Sequence, residues 1–233
     1  MGHKNVKKQS SFEYGAFFEY GNGNYTTFND ATQPGDGSTR YTGGGLLAKW
    51  YAPKGFYVEG SLRAGTVHED ANNLLRDSMN NAYGYKTDTN YFGFHVGVGR
   101  ELKLDKNSSL DVYAKYFYNR RNGTDFTVDG ADYSLDAVTS SLVRVGARYT
   151  ERNDRWNFYG GLAYEYEMDG KATGRVNGLS IRGADIGGGR VRGEIGTFMR
   201  PSADNPWGVD LNLTCFVGKK QGVMGSVSVA YTF

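Results

Sequence analysis

The residues of this 233-residue chain best suited to chemistry are few: His3, His68, His95, the single Cys215, and charged residues set inside alternating segments. A helical zinc site needs His-Glu-x-x-His, so that two imidazoles share one helix face. His68-Glu69-Asp70-Ala71-Asn72 ends on Asn, and no other His–carboxylate spacing fits a ligand set. Gly43-Gly44-Gly45 and Gly187-Gly188-Gly189 lack the Lys-Ser/Thr of a phosphate loop. They read as strand twist or close packing and as a flexible loop. One cysteine cannot form an internal disulfide. The Asn-x-Ser/Thr triplets at Asn24, Asn107, Asn122 and Asn212 carry meaning only in a eukaryotic secretory pathway. No catalytic residue, metal ligand or cofactor is assigned.

The charges are more informative. Glu59, Arg63, Lys115, Arg144, Arg148, Glu165, Arg192 and Glu194 all fall on the polar phase of segments that alternate with period two. Ten such segments follow one another: 11–21, 39–52, 56–67, about 91–99, 110–119, 142–149, 156–167, 190–200, 207–218 and 221–233. In the fourth, Phe92, Phe94, Val96 and Val98 oppose Tyr91, Gly93, His95 and Gly97. The last carries Val223, Gly225, Val227, Val229, Tyr231 and Phe233 on one phase and ends there.

Composition agrees with strands. Aromatics reach 15%, with 18 Tyr, 13 Phe and 34 Gly, a profile of sheets and turns. Mean hydropathy is −0.58, and no apolar run approaches the ~20 residues of a membrane helix. The 27 basic and 25 acidic residues are interspersed, so no basic face points to nucleic acid. The basic N-terminus lacks a following apolar stretch and reads as no secretory signal.

Ten antiparallel strands fit a sandwich or a barrel. Three features select an antiparallel transmembrane β-barrel. Connections after the first, third, fifth and seventh segments are long (22–38, 68–89, 120–136, 168–188), the others short, as for external loops and periplasmic turns. Within the second of these, Asn72 to Met79 fits a helical turn or two. Aromatics gather at segment ends, at Trp50, Tyr118, Tyr149, Trp156, Tyr166, Trp207 and Tyr231, where an interfacial girdle sits. Charges in mid-segment suit a wet lumen.

Three stretches, Gly15-Ala16-Phe17-Phe18-Glu19-Tyr20-Gly21-Asn22-Gly23-Asn24-Tyr25, Arg40-Tyr41-Thr42-Gly43-Gly44-Gly45 and Gly55 to Gly65, resemble the β-domain of autotransporters, the type V secretion proteins. The terminal Val229-Ala230-Tyr231-Thr232-Phe233 is similar to the ending that outer-membrane barrels present to their assembly machinery, with Val229, Tyr231 and Phe233 as its signature. The resemblance implies a translocator barrel in the bacterial outer membrane. Its partners would be outer-membrane lipid, the barrel-assembly machinery and an N-terminal passenger polypeptide. It further implies a fold of twelve strands with a linker helix in the lumen. Here about ten strands are expected over 11–233, with 1–10 as the remnant of a preceding strand and turn, and the passenger and export signal would belong to a longer precursor.

Under this resemblance the lumenal charges line a path for an unfolded passenger or hold a linker helix. The plainer reading is ion pairing from wall to wall around a polar interior. Two other functions fit a small outer-membrane barrel. One is a pore or adhesin acting through its loops. The other is an omptin-like surface protease using Asp70, Asp77, Asp88, Asp125, Asp129, Asp132 and Asp136, although no His accompanies the later acids.

Overall fold

The computed structural model describes residues 10–30, 33–77, 79–202 and 205–231. In chain order its strands are β1 (Ser11–Asp30), β2 (Gln33–Tyr51), β3 (Phe56–Arg76), β4 (Ala82–Lys103), β5 (Ser108–Arg121), β6 (Thr124–Val128), β7 (Ala131–Leu135), β8 (Val138–Arg152), β9 (Trp156–Glu167), β10 (Lys171–Val176), β11 (Leu179–Asp185), β12 (Gly188–Met199), β13 (Trp207–Gly218) and β14 (Gly222–Tyr231). Ten of them form one antiparallel wall in the order β1-β2-β3-β4-β5-β8-β9-β12-β13-β14. These are the ten segments expected from alternation. Among the described residues β1 pairs only with β2 and β14 only with β13, so the wall has two edges. Residues 1–9 and Phe233 lie outside the described residues, and with them the expected remnant strand and the last signature position.

The parity of side chains explains the wall. Register carries Phe12 to Trp50, Trp50 to Val58 and Val58 to Val98, then onward through Ala114, Val145, Tyr164 and Val191. All of these lie on one face, which exposes Tyr14, Leu62, Val96, Leu162, Ile195 and Val227 among many others. Each such side chain is worth ~1.5–3 kcal/mol when taken out of water. A continuous face of this kind needs an apolar solvent. Trp50, Trp156 and Trp207 all stand beside short connections, and Trp207 meets Tyr231 edge-on at 4.8 Å between ring centroids. Strand stretches of about ten tilted residues match the ~25 Å apolar band of outer-membrane barrels.

All four long connections are more ordered than alternation indicated. β1 and β2 pair far beyond the apolar band, out to Asp30 and Gln33, so 22–38 is largely a hairpin extension and not a loop. β3 runs to Arg76 and β4 starts at Ala82, so Asn72 to Arg76 is strand where a helical turn was expected. Beyond the band both faces are wet, and long paired strands survive on backbone hydrogen bonds without an alternating signature.

The connections 120–136 and 168–188 contain the β6–β7 and β10–β11 hairpins, joined through β7 and β10 into a four-stranded sheet. Their turns are Asp129-Gly130 (φ 49° and 75°) and Asn177-Gly178 (φ 48° and 79°). Both pairs have the two left-handed residues of a type I′ hairpin. Asn177 and Asp132 lock the hairpins together: the Asp132 N–H donates to Asn177 Oδ1 at 2.8 Å, and the Asn177 N–H donates to the Asp132 carbonyl at 2.8 Å.

Candidate functional site: a polar interior bridged over glycine

The face opposite the apolar one carries the charges. Its arrangement follows from register. Glu59 sits opposite Gly97, and Gly97 sits opposite Lys115. With no side chain in between, Lys115 reaches Glu59 across the intervening strand, and Lys49, directly opposite Glu59, adds a second ion pair at 3.3 Å. A Cβ at Gly97 would meet both Glu59 Cγ and Lys115 Cγ at 3.1 Å. His95 Nε2 lies 3.6 Å from Glu59, and its Nδ1 lies 2.5 Å from Ser61 Oγ.

The same device recurs. Arg148 and Glu194 flank Gly161 and bond at 2.8 Å. Arg63 and Asn119 flank Gly93 and bond at 2.5 Å. Tyr159 and Asn212 flank Gly196, the Asn212 amide donating to the Tyr159 hydroxyl at 3.1 Å while that hydroxyl donates to Asp210 at 2.7 Å. Tyr57, opposite Gly99, donates to Asp111 at 2.9 Å. The longest bridge runs from Tyr91 to Glu19 over Gly65 and Gly43. Strands three apart lie about 14 Å from each other on a flat sheet, so this contact requires the wall to curl with its polar face concave.

Glu165 differs in being flanked by charge on both sides. It has no exposed surface and takes Arg144 at 2.6 Å from β8 and Arg190 from β12. Its neighbour along β9, Glu167, accepts from Ser140 Oγ and the Ser141 N–H, both at 2.7 Å. Arg192 forms an ion pair with Glu194 on its own strand at 2.8 Å and donates to Thr214 at 3.3 Å. Every one of the eight charged candidates thus takes part in a contact between strands: Glu59 with Lys115, Arg63 with Asn119 and with Glu19 at 3.5 Å, Arg144 with Glu165, Arg148 with Glu194, and Arg192 with Thr214.

The sequence reading missed Glu19, Tyr57, Tyr91, Asp111, Asn119, Arg190 and Asp210. The available signal was a polar residue in phase with the other inward positions. The pairing itself needs the inter-strand register.

Of the acids named for a protease, Asp77 and Asp129 meet at the Tyr83 hydroxyl, and others are held by separate partners. Asp70 pairs with Lys86 at 2.6 Å and Asp88 with His68 at 2.7 Å. Asp77 closes a turn: the Asn81 side-chain amide, with the Asn81 and Met79 N–H groups, holds its carboxyl below the usual aspartate range. Asp132 accepts from Thr127 at 2.8 Å and Asp136 from Thr173 at 2.7 Å. Among the described residues no three His, Cys, Asp or Glu side chains gather into a metal-binding group. Val229 and Tyr231 lie on β14 with the apolar, exposed phase.

The model of the autotransporter β-domain family matches residues 4–213. The chain belongs to the autotransporter β-domain family. Membership places this β-domain in the bacterial outer membrane, as its apolar exterior requires. It is 29% identical over 136 residues, 58% of its own length, to autotransporter CRAC of Citrobacter rodentium, and 28% identical over 142 residues, 60% of its length, to the autotransporter adhesin/invasin TibA of Escherichia coli. The aligned stretches amount to 8% and 14% of those two relatives, so the chain spans only a small part of either. Its fold is that of the transport unit of the autotransporter AIDA-I from Escherichia coli, with a TM-score of 0.79 at 11% identity over 98% of this chain and 78% of that one.

Proposed function

We propose that this β-domain is the translocator of an autotransporter: it supports passage of an N-terminal passenger polypeptide to the cell surface and performs no catalysis itself. The observation that carries this reading is the pairing of a continuous apolar exterior with a concave interior whose charges are spent on one another across glycines. Such an interior offers an extended polypeptide a hydrated, internally neutralised wall, to which a charged segment binds only weakly. The ends with long connections face outward in this reading, and the short turns with their three tryptophans face the periplasm. The assembly machinery would take the barrel by the signature Val229, Tyr231 and Phe233.

The experiment is an in-frame fusion of an export signal and an epitope-tagged reporter ahead of the domain, expressed in an Escherichia coli host. The tag becomes accessible to added protease on intact cells. A reporter that stays protected while the domain is found in the outer membrane overturns the translocator reading. Replacement of Tyr231 by Ala tests the assembly signature separately, through a reduced yield of membrane-inserted domain.

A further inference from the structure

Two arginines stand on the apolar face at the end of the wall where the long connections lie. Arg40 shares its phase on β2 with Leu46 and Trp50, and lies one pleat beyond the residue opposite Tyr20. Arg120 lies one pleat beyond Tyr118 on β5, whose ring stacks on Phe94 at 5.2 Å. Each is the first charge above an aromatic residue at the margin of the apolar band. Lys219 and Lys220 occupy the β13–β14 turn at the same end. All four are exposed. Among the described residues none of them is ion-paired. This contrasts with His68 and Lys86 on the same face, which are taken by Asp88 and Asp70. At the opposite rim the outward-facing Arg100 lies over the Phe56 ring at 4.7 Å.

We propose that Arg40, Arg120, Lys219 and Lys220 form a contact ring for the phosphate groups of anionic lipids in the surrounding leaflet. Cations at this height extend along their apolar stems to the headgroup plane. There a phosphate supplies the counter-charge that the protein withholds, and the planar Arg fork suits it in particular. The proposal rests on the membrane embedding of this domain and not on export of a passenger, so failure of the fusion experiment leaves it standing.

The test uses the full chain refolded into phosphatidylcholine vesicles carrying a trace of spin-labelled phosphatidylglycerol or spin-labelled phosphatidylcholine. The motionally restricted fraction gives the relative affinity for the two headgroups. The expected preference for phosphatidylglycerol is roughly fivefold for each cation engaged, and it weakens as salt shortens the screening length. The quadruple variant R40Q/R120Q/K219Q/K220Q brings it towards unity, whereas R40K/R120K retains most of it. Equal association of the two lipids with the unmodified chain overturns the proposal, whether or not the variants fold. So does a preference unchanged in a quadruple variant that retains heat-modifiable migration. Displacement of the labelled lipid by inorganic phosphate at constant ionic strength would assign the cations to a free ion and equally refute a headgroup ring.

Discussion

Tyr91 donates its hydroxyl to Glu19 at 2.5 Å across two intervening strands, over Gly65 and Gly43. The bridge exists because neither crossing strand raises a side chain beneath it. A Cβ at Gly65 would run into the backbone of Thr42 and Gly43. Gly65→Leu is therefore expected to cost about 1–3 kcal/mol of stability, more than Tyr91→Phe, which removes one hydrogen bond worth ~1 kcal/mol. Urea titrations of detergent-folded protein, followed by heat-modifiable migration, give this order. The reverse order would mean that the wall does not depend on glycine crossings.

Glu165 is buried between Arg144 and Arg190. Removing the carboxylate strands two guanidinium groups. Glu165→Ala is expected to destabilise by about 3–5 kcal/mol. The triple replacement that also converts both arginines to Met recovers most of the loss, because the cost lies in the orphaned charges. Additive losses in the same titration would contradict this account.

The two type I′ turns should act locally. Gly130→Val and Gly178→Val force β-branched residues to φ values of 75° and 79°. Both variants are expected to open the four-stranded sheet to trypsin at Lys171 or Arg175 while leaving heat-modifiable migration of the wall unchanged. A wall that melts with the hairpins would show that the two sheets are one cooperative unit.

Asp105 organises the turn between β4 and β5, accepting from the Ser108 hydroxyl at 2.6 Å and from the N–H groups of Asn107 and Ser108 at 2.7 and 2.8 Å. These bonds, the Ser108 hydroxyl foremost, hold its carboxyl below the usual aspartate range. A depressed carboxylate stabilises the folded turn fully above its unfolded value and loses that contribution as pH falls through the folded one. Amide exchange at Asn107 and Ser108 should accelerate only below about pH 4, the ordinary aspartate range. Asp105→Ala should show the fast exchange at every pH.

Much of this architecture is legible in one sequence, because a strand with lipid on one side and water on the other must alternate. Phe92, Phe94, Val96 and Val98 announce β4 in that way, and the register puts them on the exposed face. The strand count of the wall and the long-short rhythm of its connections follow from the same logic. The hairpin turns were present as Asp129-Gly130 and Asn177-Gly178, a strong local signal, but strands of five to seven residues in polar surroundings give too little alternation to register as strands. The interior pairs were beyond reach for a different reason. That Lys115 meets Glu59 depends on Gly97 lying opposite both, a relation among three strands that no single segment encodes.

The four-stranded sheet links two connections that leave the wall at different places, one from β5 to β8 and the other from β9 to β12. Between them lies the β8–β9 seam. Because β7 is hydrogen-bonded to β10, parting β8 from β9 at that end means tearing a second set of backbone bonds outside the membrane. The hairpins therefore act as a clasp over one seam. Any sideways parting of the wall is thereby diverted to strand pairs that have no such clasp.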